Sequence, residues 1–117
     1  MICFAGDVQV YVSLAPIDFR KGLNGLLILV QDVFKQSPQS SYLFLFRDQS
    51  RKKLKALYWD GTGFVLLYKR LERGHFCFPK LKSGEIILDR LQLECLLSGM
   101  HFMRENKFNI AHYQVYC

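Results

Sequence analysis

The sequence predicts an α+β domain with a largely antiparallel sheet and two helices. Two stretches carry apolar residues at helical spacing, and several strand-like aromatic segments lie between them. The predicted order is one strand, one helix, a meander of strands and a second helix, which is typical of this fold class. At 117 residues, the chain has the usual length of one domain and is long enough to bury a core.

The first strand is predicted over residues 8–14, where β-branched and aromatic residues predominate. After a proline break, Asp18 is expected to cap the first helix, because its carboxylate can accept from free backbone N–H groups. Gly22 and Gly25 would lie on one side of this helix, which predicts a close contact between helix and sheet. The apolar stripe of the helix is formed by Leu23, Leu26, Leu27, Val30 and Phe34.

The middle of the chain predicts a meander of short strands. Asp60 and Gly61 stand between two apolar runs, and this dipeptide is a strong hairpin signal. Pro79 is expected to end the strand before it. Asp89, with Gln92 three residues later, resembles a capping box and predicts the start of the second helix. The strands are predicted at residues 42–46, 53–59, 64–70, 75–78 and 85–88.

Positive charge is concentrated in one part of the chain. The formal net charge is +6, but residues 47–82 alone carry ten Lys or Arg against three acidic residues. That segment is therefore +7, and the rest of the chain is −1. A localised excess of this kind favours an anionic partner. A solvated sheet face kept soluble by Lys and Arg would give the same pattern.

The cysteines and the N-terminus indicate the compartment. The longest apolar run, residues 26–30, is far shorter than the ~20 residues of a membrane helix. The N-terminus lacks the basic flank and apolar stretch of a signal peptide. We therefore expect a cytoplasmic protein with reduced thiols, no membrane partner, no metal and no cofactor. The cysteines are widely spaced, at Cys3, Cys77, Cys95 and Cys117.

Three motifs occur in the order found in one protein family. D-x-R-K-G-x-x-G-L occupies residues 18–26, W-D-G-x-G residues 59–63 and K-R-L-E-R-G residues 69–74. With this combination the chain resembles the small accessory protein of IS66-type bacterial insertion sequences, called TnpB or Orf2-like. The resemblance implies that the protein is encoded beside a separate DDE-type transposase and assists transposition. We expect a single domain over residues 1–117, with 103–117 as a divergent C-terminal extension.

The first functional hypothesis is non-catalytic DNA binding, at transposon ends, through a basic hairpin surface. Within it, Arg20, Lys21 and the glycine surface at the helix N-terminus would hold a phosphate. Four aromatic residues, Tyr42, Tyr58, Trp59 and Tyr68, could stack on bases, although aromatic residues of strands more often belong to the core. The candidate DNA-binding residues are Arg20, Lys21, Arg47, Arg51, Lys52, Lys53, Lys55, Lys69, Arg70 and Arg73.

Two other hypotheses remain open. The protein could be an adaptor for the transposase, because Tyr58, Trp59 and Arg70 are residue types common at interaction hot spots. A metal-dependent nuclease is less expected, because two-metal chemistry needs converging carboxylates and the acidic residues are scattered. A structural role is expected first for Asp18, Gly22, Gly25, Trp59, Asp60, Gly61 and Gly63. The sequence leaves the oligomeric state open.

Overall fold

The computed structural model describes residues 8–80, 85–99 and 114–116. The helices are α1 (Leu23–Asp32) and α2 (Arg90–Leu97). The strands are β1 (Val8–Val12), β2 (Leu43–Arg47), β3 (Lys53–Trp59), β4 (Phe64–Arg70), β5 (Phe78–Lys80), β6 (Glu85–Leu88) and β7 (Gln114–Tyr116). Five strands form one sheet in the order β4-β3-β2-β1-β6, and β5 pairs with β7. The predicted α+β class is confirmed.

Most of the sheet is antiparallel, as predicted, but β1 and β2 run parallel and are joined through α1. The pairs β2–β3, β3–β4 and β1–β6 are antiparallel. Four strand termini therefore meet at one end of the sheet. They are the C-terminal ends of β1, β2 and β4 and the N-terminal end of β3. The loops that follow or precede these strand ends must emerge there together.

Each face of the five-stranded sheet is covered by one helix. On the α1 face, Leu26 and Val30 pack on Phe44, Phe46 and Leu57, and all five are fully buried. The buried cluster on the α2 face is larger. Its buried strand residues come from β1, β2, β3 and β6, and also from β5 of the second sheet. Its buried members include Val10, Leu45, Leu54, Phe78, Leu93 and Leu96. The alternation of the strands therefore divides the core into two layers.

The start of α1 differs from the prediction. The N-cap residue is Gly22, which has no side chain to cap the helix, so the prediction that Asp18 is the N-cap was wrong. Asp18 instead accepts from the backbone N–H of Arg20 and pairs with its guanidinium, a local interaction that competes with capping. The predicted close helix–sheet contact was also wrong. A Cβ on Gly22 would meet nothing within 4 Å, and one on Gly25 would meet the side chain of Lys21 at 3.3 Å.

The β3–β4 hairpin agrees with the prediction at both strand boundaries. In its turn, the Asp60 carboxylate accepts from the backbone N–H groups of Thr62 at 2.9 Å and Gly63 at 2.8 Å. Gly61 has a φ of +101°, in the left-handed region that favours glycine. These bonds lower the pKa of Asp60, because they stabilise its charged form. The motif W-D-G-x-G is therefore a turn motif in this fold.

The strand predicted at residues 75–78 was wrong. The β5 strand begins at Phe78, and Pro79 lies inside it instead of ending it. The N–H of Phe76 donates to the carbonyl of Arg51 at 2.8 Å. This hydrogen bond to a loop takes the place of a hydrogen bond to a neighbouring strand. Proline is tolerated here because β5 has a single partner strand, β7, in the described part of the chain.

The prediction of reduced thiols was wrong at Cys77, which is disulfide-bonded. Cys95 is not part of a disulfide and is buried on the α2 face. Cys3 and Cys117 lie outside the described residues.

The capping box at the start of α2 gives a direct test of the local folding rules. The Asp89 carboxylate accepts from the N–H of Gln92 at 2.7 Å, and the Gln92 side chain accepts from the N–H of Asp89 at 3.1 Å. We expect Asp89→Ala to lower the free energy of unfolding by about 1 kcal/mol, measured by urea denaturation. Asp89→Asn, which can still accept at the cap, is the matched control and should lose less than half as much. Equal losses would contradict the capping role.

Candidate nucleic-acid interface

The candidate DNA-binding residues lie at one end of the five-stranded sheet. Arg47 ends β2, and Lys53 at the start of β3 is paired with Arg70 at the end of β4. The segment after β1 reaches the same end because β1 is parallel to β2. We call this region the basic end and define it by Arg20, Lys21, Arg47, Arg51, Lys52, Lys53, Lys55, Lys69, Arg70 and Arg73. Three separate stretches of sequence, at residues 20–21, 47–55 and 69–73, therefore carry their cations to the same end of the sheet.

Lys55 fixes the segment that carries Arg20 and Lys21. Its side chain is only 7% exposed, and its ammonium donates to the carbonyls of Phe19 at 3.0 Å and Lys21 at 2.7 Å. The same ammonium lies 5.0 Å from the ring centroid of Phe19 and 5.8 Å from that of Tyr68. A buried ammonium needs such partners to offset the loss of water. Lys55 therefore positions the loop at residues 18–22.

The loop between β2 and β3 is organised by Asp48. Burial raises the pKa of Asp48, but the hydroxyl of Ser50 and the N–H groups of Lys53 and Lys52 outweigh burial and lower it. These donors lie 2.6 to 3.1 Å from the carboxylate. Arg51 can therefore hold a φ of +60°, which is uncommon for a residue with a side chain.

A second loop is tied to this one by backbone hydrogen bonds. The N–H of Leu71 donates to the carbonyl of Lys52 at 2.8 Å, and the N–H of Phe76 donates to that of Arg51 at 2.8 Å. The residues after β4 therefore pack beside the β2–β3 loop. Lys52 and Arg73 are both exposed, and they belong to the two loops that these bonds join.

Two carboxylates at the basic end are paired with arginine. Asp18 binds Arg20 at 2.7 Å, and Glu72 binds Arg70 at 2.8 Å. The Arg20 guanidinium holds the pKa of Asp18 at about 2, so this carboxylate stays charged at neutral pH. Both pairs are exposed, and pairs of this kind contribute little to stability. They orient the two guanidinium groups without removing the net positive charge of the surface.

Three of the predicted residues donate from their charged groups to backbone carbonyls distant in sequence. Lys55 is buried, as described above. Lys69 lies on the α2 face, and its ammonium donates to the carbonyl of Leu97 at 2.7 Å, where a cation also suits the negative end of the helix dipole. The guanidinium of Arg47 donates to the carbonyl of Leu14 at 3.2 Å. The other seven side chains are exposed or half-buried.

Sequence reasoning missed the residues that hold the loops of the basic end in place. Phe19, Leu71 and Phe76 act largely through backbone groups, and these leave no residue preference that a pattern could reveal. In the described ranges, no cluster of three or more His, Cys, Asp or Glu side chains could hold a metal ion. No helix in those ranges is long and apolar enough to cross a membrane.

Residues 8–107 match the family model described as IS66 Orf2-like protein. The chain belongs to this family. The uncharacterized protein y4jC of Sinorhizobium fredii is 35% identical over 104 residues, which is 89% of each chain. The uncharacterized protein y4hO of the same organism is 39% identical over 94 residues, covering 80% of this chain and 82% of the relative. No solved structure matches the chain.

Membership of the IS66 Orf2-like family confirms the resemblance seen in the three motifs. It is consistent with an accessory role in transposition. The matched range contains all ten cations of the basic end and both helices. The motif D-x-R-K-G corresponds to the segment held by Lys55, and K-R-L-E-R-G corresponds to the end of β4 and the loop beside Lys52.

The positioning role of Lys55 can be tested by removing its ammonium. We expect Lys55→Met to lower the free energy of unfolding by about 2 kcal/mol, because two carbonyls lose a charged donor. Amide hydrogen exchange at residues 19–22 should also become faster. Lys53→Met, on the same face of β3, is the control and should change stability by less than about 0.5 kcal/mol. Similar losses in both variants would show that Lys55 does not hold the loop.

Proposed function

We propose that this protein is a non-catalytic DNA-binding accessory of IS66 transposition that contacts transposon-end DNA through the basic end. The observation that carries this proposal is the convergence of cations from three sequence stretches on one end of the sheet. A solvated face would need no such convergence. Rigid loops hold these cations, because Lys55 and Asp48 fix the backbone beneath them.

The electrostatics of the basic end suit contact with phosphates. Each cation that neutralises a phosphate releases a condensed counterion, so binding weakens steeply as salt rises. Exposed side chains such as Lys21, Lys52 and Arg73 are the best placed for this role. If about four cations engage, log K should fall with log salt at a slope of about −4. Such contacts give affinity without requiring sequence recognition.

The carboxylates of the basic end support a non-catalytic role. Asp18 pairs with Arg20, Glu72 pairs with Arg70, and Asp48 organises its own loop. Each carboxylate therefore has a structural partner. Nuclease chemistry would instead need carboxylates that converge on a metal or a water.

A second candidate function, an adaptor for the DDE transposase, is favoured by an apolar groove. The groove has a volume of about 310 Å³ and lies between residues 11–17 and the C-terminal half of α1. Val33 and Leu14 on its wall are 64% and 44% exposed, so the groove presents adjoining apolar side chains to solvent, and an exposed apolar patch can mark an interaction site. Tyr58 and Trp59, the residues first considered for this role, are half-buried in the sheet.

The DNA-binding proposal predicts a different effect for two double variants of equal charge change. Lys52→Ala/Arg73→Ala should weaken binding to a transposon-end duplex about tenfold and reduce the salt slope by about 2, measured by fluorescence anisotropy at several salt concentrations. Lys35→Ala/Arg90→Ala removes the same charge after the C-terminal end of α1 and at the start of α2, and should change affinity less than twofold.

Absence of binding by the unmodified protein at low salt would contradict the DNA-binding proposal, as would equal effects of the two double variants. In that case, nuclease-resistant binding to purified transposase, lost on Val33→Asp, would support the adaptor function.

A further inference from the structure

We infer that the basic end takes unpaired nucleotides of DNA, with the ring of Tyr68 as the platform on which one base stacks. This inference rests on the proposed function, because it names the form of DNA that the same surface prefers. The features that carry it are an exposed aromatic ring, the contacts that fix this ring, and the cations beside it.

Tyr68 differs from the other aromatic residues between positions 8 and 78. It is 54% exposed, whereas the others in that range are buried or half-buried. It lies on β4, at the edge of the sheet, and not in a flexible loop. Between residues 8 and 78, Tyr68 is therefore the one large aromatic surface presented to solvent, and it lies beside the highest density of positive charge in the chain.

The Tyr68 ring is held in place before any ligand arrives. Its centroid lies 5.9 Å from that of Phe19 in an edge-to-face arrangement with an interplanar angle of 69°. The buried ammonium of Lys55 lies 5.8 Å from the Tyr68 centroid. Because these contacts already restrict the side chain, a stacking base would cost little further loss of rotamer freedom. Lys55 therefore supports the base platform and the loop of Arg20 and Lys21 together.

The cations around Tyr68 follow from the register of the hairpin. Tyr68 is paired with Lys55, and Arg70 is paired with Lys53, so these four residues share the α1 face. Arg70 and Lys53 lie about one same-face step, roughly 7 Å, along the strands from the ring. An aromatic platform flanked by cations at this spacing suits a base with its neighbouring phosphates.

The form of the DNA follows from the accessibility of its bases. In a duplex, each base face is covered by its neighbours, so Tyr68 could reach base edges, sugar and phosphate but could not stack on a base. In a single strand, base faces are available, and stacking on an aromatic side chain adds affinity with little dependence on sequence. The chemistry of this surface therefore favours an unpaired strand over a duplex.

The test measures the affinity of three proteins for two DNA probes at one salt concentration. The proteins are the unmodified chain, Tyr68→Leu and Tyr68→Phe. The probes are a thymidine homopolymer of about 16 nucleotides and a mixed-sequence duplex of the same length. We expect Tyr68→Leu to weaken binding of the single strand about five- to twentyfold, while affinity for the duplex changes less than twofold. Tyr68→Phe keeps the ring and should bind both probes like the unmodified protein. Unchanged duplex binding also shows that the Tyr68→Leu variant is folded.

A second measurement needs no variant. Irradiation of the unmodified protein with a single strand containing 5-iododeoxyuridine should crosslink Tyr68, identified by peptide mapping. Crosslinks confined to other residues, or equal losses for both probes in Tyr68→Leu, would overturn the inference. Failure of the proposed function looks different, because the unmodified protein would then bind neither probe at low salt.

Discussion

The parallel pairing of β1 with β2 is the constraint on which the rest of the structure depends. In an all-antiparallel meander, the segment after β1 would leave the sheet at the end opposite to the β2–β3 loop. Because β1 and β2 are parallel, with Val10 beside Leu43 and Val12 beside Leu45, both segments emerge at the same end. The helix α1 that makes this crossover also covers one face of the sheet. One topological choice therefore creates both a buried layer and a surface of concentrated charge.

Lys55 converts this proximity into a defined surface. An ammonium 7% exposed is costly unless it is hydrogen-bonded, and here two carbonyls and two aromatic rings surround it. The same contact fixes the loop carrying Arg20 and Lys21 and supports the exposed ring of Tyr68. Asp48 does a similar task for Arg51 and Lys52 through its hydrogen bonds within the loop. Charges held on a fixed backbone lose less entropy when they bind an anion than charges on free loops do.

Local signals predicted local structure well. The Asp60 turn, the boundaries of β3 and β4, and the capping box at Asp89 follow from residue preferences within four positions. The errors arose where a competing local contact or a contact distant in sequence decides the backbone. Asp18 was expected to cap α1 but pairs with Arg20, and Lys55, 34 to 36 positions away, holds the intervening carbonyls. The basic character of the site was visible in the composition, but only the sheet register shows which cations face outward.

The measurement that tests the DNA-binding account most directly is amide hydrogen exchange of the full chain with and without transposon-end DNA. We predict that amide exchange in the DNA-bound protein is slower at residues 18–22, 48–53 and 70–76. It should not change at the Asp60 turn or in α2. Protection confined to the apolar groove near Val33, or spread evenly over both ends of the sheet, would contradict it. The first of these results would instead identify the groove, and not the basic end, as the interaction surface of the protein.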